Sequence, residues 1–387
     1  MQVAQTKTEN SKTTFEIANR PCPELTTGTA VVDIAGCSLC GSDVEKLVNR
    51  KVPDGTVLGH EVVGQINALN INILNINALD TTKRFSVGDR VVFSHHVPCF
   101  SCQYCLNGSQ SMCDTFKQSN IFPGGFAEQV TLSEAHLQHV TFKIPDAISF
   151  QEASCMEPLA CVIQGVQRGN VFFKPLQSAV KKTVGVVGLG FIGLLAAQVY
   201  KHQGFHVMGV DINPARLALA TAQQWTDVSY NPAVGYKNDA QVLAEMANVF
   251  NCKGEQETGV NFVGLDVVFL SVVTAKTLET AFSLLRRGGT IVVFASAMQT
   301  GTLPLQIDPN LLYFKEVSVI SSYSPDVASL KQSADLIFSR TINVSPLLTH
   351  TVELTDIQSG VDAYCGGEAV KVFVKMPKYN SIEHFSK

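Results

Sequence analysis

Apolar residues fall along this chain in two different rhythms. Up to about residue 150 they come in short runs rich in β-branched residues, at Thr29–Ile34, Glu61–Ile66, Arg90–Phe93 and Phe126–Leu132. Turn-forming triplets such as Val87-Gly88-Asp89 and Pro123-Gly124-Gly125 separate them. Runs of this length bounded by Gly and Pro read as strands, so the first 150 residues read as an all-β lobe. From about Ala153 the rhythm changes. Ala153–Arg168 reads as a helix. Strand-like and helical stretches then alternate: Thr183–Val187, Ile192–His202, His206–Val210, Ala215–Gln223, Leu265–Ser271, Lys276–Leu285 and Thr290–Ala295. Alternation of this kind builds a parallel sheet with helices on both faces. Beyond about residue 300 the pattern loosens, and the apolar extended stretches Leu347–Val352 and Ala369–Met376 are expected to return to the first lobe. The Asn/Ile-rich segment Asn67–Asp80 reads as a loop and Lys378–Lys387 as a polar tail. The expected fold class is α/β in two domains, since 387 residues exceed one ordinary core.

Composition narrows the class further. Hydrophobic residues make up 45% and charged residues 16%, with a net charge of −4 and neither a basic block nor an acidic tail. No nucleic-acid partner and no electrostatic membrane binding are expected. No apolar run approaches the roughly 20 residues that span a bilayer. Met1–Asn19 is polar and lacks the apolar core of a signal peptide. A cytoplasmic protein with a small-molecule partner is the expectation. The eleven cysteines are odd in number, and their clustering suits metal ligation better than a disulfide framework.

Cys99, Cys102, Cys105 and Cys113 form a C-x2-C-x2-C-x7-C cluster. Two-residue gaps let successive thiolates converge on one tetrahedral ion, and four sulfurs make a closed, structural zinc site. A quieter set offers a different chemistry. Cys40 opens Cys40-Gly41-Ser42-Asp43, twenty residues later comes Gly59-His60-Glu61-x-x-Gly64, and further on Cys155-Met156-Glu157-Pro158. Catalytic zinc keeps three protein ligands and one open position. Cys40 and His60 are the leading two, and Glu61 and Glu157 compete for the third place, or one of them holds the metal through a water. Taken singly, Cys40 reads as a buried thiol and His60 as a satisfied core histidine; together they read as a site. A third set is Gly188-x-Gly190-x-x-Gly193, which follows the strand Thr183–Val187 and opens a helix through Phe191 and Ile192. Gly188 permits the tight turn, Gly190 lets a pyrophosphate approach, and Gly193 lets helix and strand pack closely. The helix N-terminus suits phosphate. Asp211, 18 residues beyond Gly193, can accept hydrogen bonds from ribose hydroxyls and would repel a 2′-phosphate, which favours NAD over NADP. Arg216 lies close by in sequence and completes the candidate nucleotide contacts.

These motifs, in this order, make the chain resemble the zinc-dependent medium-chain dehydrogenases, on the branch with sorbitol (polyol) and threonine dehydrogenases. Val87-Gly-Asp-Arg-Val91, Gly124-Gly-Phe-Ala-Glu128 and Met156-Glu-Pro-Leu-Ala160 add to the match. The resemblance implies a GroES-like distorted β-barrel catalytic domain at 1–155, completed by about 300–387, and a Rossmann domain at 156–299. It implies two zinc ions per chain, one catalytic and one structural, with NAD as cofactor. The reaction would be oxidation of a secondary alcohol, a polyol, sugar or cyclitol, to its ketone. Threonine-type amino-alcohol oxidation and a non-catalytic NAD-binding role are the alternatives. By the same resemblance Ser42 passes the substrate proton outward, Asp43 buttresses His60, Glu157 takes part at the active site, and the chain forms a homodimer or homotetramer. Two positions depart from the branch. Glu45 stands where polyol dehydrogenases often carry histidine, and Ser321-Ser322-Tyr323-Ser324-Pro325 replaces a sugar-binding arginine segment. Ser322, Tyr323 and Ser324 could bind a smaller polyol, a cyclitol or an amino alcohol, whereas His95, His96 and His350 read as structural.

Overall fold

The computed structural model describes residues 1–49, 52–71, 85–170, 182–234, 239–252, 262–296 and 307–379. The chain forms two compact units, Met1–Ala160 with Pro325–Lys387, and Cys161–Ser324. The return to the first unit comes later than residue 300, because the strand Ser318–Ser321 still pairs in parallel with Leu285–Val293.

The first unit is organised by one long strand, Thr29–Leu39, which is almost wholly buried. One side of it pairs antiparallel with Glu61–Asn70. The other side is shared: its first half pairs with Gln129–Ser133 and its last residues with Val372–Lys375. Glu61–Asn70 continues to Arg90–Phe93 and then to Thr141–Lys143. The runs Thr29–Ile34, Glu61–Ile66 and Arg90–Phe93 fall in these strands, the first two of which extend further, whereas Phe126–Leu132 is strand only from Gln129. Ile34, Phe93, Phe126 and Leu132 are among the fully buried side chains that hold the sheet together, each contributing roughly 1.5–3 kcal/mol by burial. The strand Val372–Lys375 matters most for function, since it brings the far C-terminal region beside Leu39 and Cys37.

Three segments differ from expectation. Met1–Asn19 is not merely polar: Gln2–Glu9 and Lys12–Asn19 form an antiparallel hairpin. Its two-residue turn is Asn10-Ser11, both in the left-handed region at φ 47° and 67°, the geometry that matches strand twist in tight hairpins. Lys378 is not a free tail residue, for its ammonium pairs with Asp33. Of Asn67–Asp80, the first four residues extend a strand, and 72–80 lie outside the described residues.

The second unit is a parallel sheet in the order Val228–Tyr230, His206–Val210, Thr183–Val187, Leu265–Leu270, Leu285–Val293, Ser318–Ser321. The first strand in sequence lies inside the sheet and the order reverses beside it, which is where doubly wound sheets bind ligands. The helices Phe191–His202, Pro214–Ala222 and Ala275–Leu284 fall within a residue of their sequence-read limits. A further helix, Asp239–Cys252, was not read from sequence; Val242 and Met246, four apart, are buried on it. Among the described residues no helix is long and apolar enough to cross a membrane.

Candidate active site and metal centres

The four sulfurs of Cys99, Cys102, Cys105 and Cys113 lie within 4.8 Å of one another. Sγ–Sγ separations of 3.5 Å for Cys99–Cys113, 3.6 Å for Cys102–Cys105 and 3.9 Å for Cys99–Cys105 recur around the group. Tetrahedral zinc with sulfurs at about 2.3 Å demands edges of about 3.8 Å, so the donor set fits that ion. Hydrogen bonding from Ser101 brings the Cys99 thiol down to about 5, and burial pushes Cys105 up to about 12. Phe116 and the cysteines themselves form the only small core cluster seen around this loop among the described residues.

The second donor group is Cys40, His60 and Glu61, whose ligand atoms also lie within 4.8 Å of one another. Its geometry comes from the sheet. Cys40 directly follows the strand Thr29–Leu39 and is the N-cap of the helix Gly41–Val48. His60 directly precedes the neighbouring strand, in which Glu61 pairs with Ser38. Gly59 makes the approach possible. Its φ of +90° and a would-be Cβ only 2.9 Å from Cys37 Sγ leave no room for a side chain. Asp43, fully buried, sits beneath the pair. Its Oδ2 accepts from the Cys40 N–H at 3.2 Å, and its Oδ1 lies 3.4 Å from His60 Nδ1. Burial works against the charged Asp43, but the His60 charge and hydrogen bond outweigh it and hold the carboxyl below its usual range. Burial likewise opposes protonation of His60, yet Asp43 and Cys40 raise it well above the usual imidazole value. With Nδ1 tied to Asp43, the other ring nitrogen is the one left to face the donors, and a metal ion there would take the place of the proton.

Glu157 is buried in the first turn of the helix Met156–Asn170. It is not part of the three-residue donor group that the structure brings together. Ser42 lies partly exposed in the first turn of Gly41–Val48. Sequence reasoning missed Lys371, whose ammonium forms a buried ion pair with Glu61 Oε2. Burial lowers the pKa of Lys371, but the Glu61 charge prevails and raises it above its ordinary value. No local pattern could have found it, because it stands 310 residues from its partner. His95 and His96 lie outside both donor groups, and their rings form a row. The rings run His60–His95 at 4.9 Å, His95–His96 at 4.0 Å and His96–Phe116 at 4.8 Å. Burial first, then the His60 charge, holds His95 well below its usual value, and burial brings His96 to about 4. The His350 ring is tied to the Thr349 hydroxyl at 3.0 Å, and its N–H donates to the carbonyl of Lys371.

The nucleotide turn has the geometry its glycines imply. Gly188 adopts φ +88°, and a Cβ on Gly193 would stand 1.8 Å from the Gly188 carbonyl oxygen. A Cβ on Gly190 meets nothing nearer than Arg216 Nη1 at 3.9 Å, so the space above the helix N-terminus is open to a phosphate. The helix starts at Phe191, with Ile192 and Gly193 in its first turn. Asp211 follows the strand His206–Val210, accepts from the N–H of Leu189 at 2.5 Å and of Asn213 at 2.8 Å, and has Arg216 Nη1 at 3.9 Å. A carboxylate offers about four acceptor sites, so two backbone bonds leave capacity for a diol. Ser322 donates its N–H to Val293 O, while Tyr323 is exposed.

Comparison with known proteins agrees with both halves. The profile of the alcohol dehydrogenase GroES-like domain matches residues 26–146, and that of the zinc-binding dehydrogenases matches 192–339. An L-threonine 3-dehydrogenase of Escherichia coli O157:H7 is 27% identical over 362 residues, covering 92% of this chain and 94% of its own. D-xylulose reductase A of Aspergillus oryzae is 28% identical over 372 residues, covering 94% and 93%. A zinc-binding dehydrogenase structure from Clostridium scindens superposes with TM-score 0.78 at 20% identity, over 97% of this chain and 99% of that one, which shows the shared fold.

Proposed function

This chain belongs to the zinc-dependent medium-chain dehydrogenase family, and on that premise we propose that it oxidises a secondary alcohol of a polyol, sugar or cyclitol to the ketone with NAD. It is an oxidoreductase acting on CH–OH, with a GroES-like and a Rossmann domain, and it uses zinc and a nicotinamide dinucleotide. The observation that carries the reading is the convergence of Cys40, His60 and Glu61 in one donor group beside a separate four-thiolate group.

Cys40, His60 and Glu61 would hold the catalytic zinc, which when bound supplies Lewis-acid polarisation of the substrate hydroxyl. Asp43 orients His60 by binding Nδ1 and so fixes which ring nitrogen faces the donors. Ser42, in the turn after Cys40, is proposed to pass the hydroxyl proton outward. Glu157, a buried carboxylate outside the donor group, is proposed to face the reacting alcohol. Gly188, Gly190 and Gly193 seat the dinucleotide, and Asp211 accepts from its ribose. The likeness to a xylulose reductase supports the polyol class. The likeness to threonine dehydrogenases supports amino-alcohol oxidation as the second reading. A panel of polyols, cyclitols, simple secondary alcohols and L-threonine, followed by NADH absorbance, tests this. Turnover on L-threonine alone would replace the polyol class, and no turnover on any would sink the dehydrogenase reading for this chain.

The cofactor preference has its own test. Asp211→Ser removes the carboxylate that meets the ribose while keeping a small polar side chain. Hydrogen bonds to a charged group contribute about 1.5–3 kcal/mol, so KM for NAD should rise by about tenfold or more while KM for NADP falls. An unchanged NAD/NADP ratio would remove Asp211 from the ribose. A homodimer or homotetramer is part of the proposal, supported by the exposed Val319 on the strand Ser318–Ser321 and by exposed Tyr313 and Phe314 just before it. Residence in the cytoplasm is proposed with it, as the setting that keeps metal-binding thiols reduced.

A further inference from the structure

Glu61 is buried completely, yet its two oxygens are treated differently by the fold. Oε2 is held by the Lys371 ammonium, which is itself nearly inaccessible. Oε1 has no hydrogen-bond partner. A buried carboxylate oxygen without a partner is costly unless a cation takes it. The donors of Cys40 and His60 are within 4.8 Å of the Glu61 donor, so the cation that fits is the metal. Lys371 is not free to follow Glu61. Its Nζ also donates to Leu39 O at 3.1 Å, the backbone just before Cys40, and the next residue, Val372, is paired with Leu39 in the sheet. The ammonium is thus fixed to the strand that delivers Cys40.

We propose that Lys371 restricts Glu61 to binding the metal through one oxygen, and so keeps a coordination position open for the alcohol. A glutamate can bind a metal through one oxygen or two. With Cys40, His60 and one oxygen of Glu61 the ion keeps the open place that a catalytic zinc needs. With both oxygens of Glu61 that place is filled. Lys371 is therefore a positioning residue: it acts on the substrate site only through Glu61. The proposal rests on the Cys40, His60 and Glu61 donor group being the catalytic metal site.

The test compares wild type, Lys371→Met and the double variant Glu61→Gln with Lys371→Met. Cobalt(II) replaces zinc, and the four-thiolate contribution, common to all three, cancels in difference spectra. In Lys371→Met the freed Oε2 turns to the metal. The ligand-field bands should shift as the second carboxylate oxygen displaces the exchangeable fourth ligand, and a chelator should remove zinc from this site about tenfold more slowly, at the low end of what changes around metal ligands produce. Adding Glu61→Gln should restore the wild-type bands and the faster removal. Unchanged bands and removal rate in Lys371→Met, or faster removal, would overturn the proposal and leave Lys371 as a counter-charge only. If Lys371→Met does not fold, Lys371→Gln carries the same expectations, because it is neutral and keeps an N–H for Leu39 O. Wild type that takes up metal at the four cysteines alone would instead overturn the donor-group reading itself.

Discussion

Exchanging Cys40 for serine is expected to cut turnover by about a thousandfold or more and to lower the zinc content from about two ions per chain to about one. A thousandfold is about 4 kcal/mol of transition-state stabilisation, which is reasonable for a residue that holds the polarising ion directly. Changes one shell further out typically cost ten- to a hundredfold. Serine offers a neutral hydroxyl in place of a thiolate, so His60 and Glu61 alone must keep the ion. The substitution is also chosen to leave the fold intact. Cys40 is the N-cap of the helix Gly41–Val48, and serine is among the preferred N-cap residues. The Asp43 bond to the residue-40 N–H is a backbone bond and survives. Thermal stability should therefore stay close to wild type once the wild type is measured without its catalytic metal. Metal analysis, a melting curve and initial rates on the best substrate of the panel check all three. Activity within tenfold of wild type, with two zinc ions retained, would remove Cys40 from the metal site.

What the sequence made legible follows how local each cause is. The turn Gly188 to Gly193 was readable because each glycine answers a steric demand made by its immediate neighbours, down to the contact between Gly193 and the Gly188 carbonyl. The four cysteines were readable because one short loop carries all the ligands. Cys40 and His60 were readable only as a pair, since the sheet that brings them together joins two separate strands. The third ligand was left open between Glu61 and Glu157, and the structure groups Glu61 with the pair. Lys371 was invisible for a physical reason: its role depends on a strand pairing across more than 300 residues, and in sequence it is one lysine in an apolar run. The N-terminal hairpin was overlooked because one of its faces is wet, so its apolar alternation is diluted by charge. The late return to the first unit, at Pro325, escaped notice because Ser318–Ser321 is a half-exposed strand whose apolar signal is weak.

Replacing Cys105 by serine is expected to open the loop from Cys99 to Cys113 and, at a distance, to slow catalysis about tenfold while leaving metal at Cys40 and His60. The loop has little else to hold it. Its local core is Cys105, Cys113 and Phe116, with Cys99 and Cys102 against it. Structural zinc contributes roughly 10–16 kcal/mol of apparent folding energy in small zinc peptides, far more than three buried side chains supply. Serine at 105 should thus create a new protease-sensitive stretch between Cys99 and Ser119, and zinc content should fall by about one ion. The effect on rate follows from what is attached to the loop. Phe116 stacks on His96, His96 on His95, and His95 on His60. Ser119 fixes Val97 through both its N–H, at 2.9 Å, and its carbonyl, at 2.9 Å. Loosening Phe116 and Ser119 removes the far support of a row of rings that ends on a metal-binding histidine. Loss of about 1.4 kcal/mol of positioning corresponds to the tenfold change in rate. Limited proteolysis, zinc analysis and kcat/KM, measured on the same preparation, decide the matter. A cleaved loop with full activity would show that the four-thiolate site and the reacting site are independent, and that the ring row is packing alone. A loop that stays intact would show that its fold does not depend on the fourth thiolate.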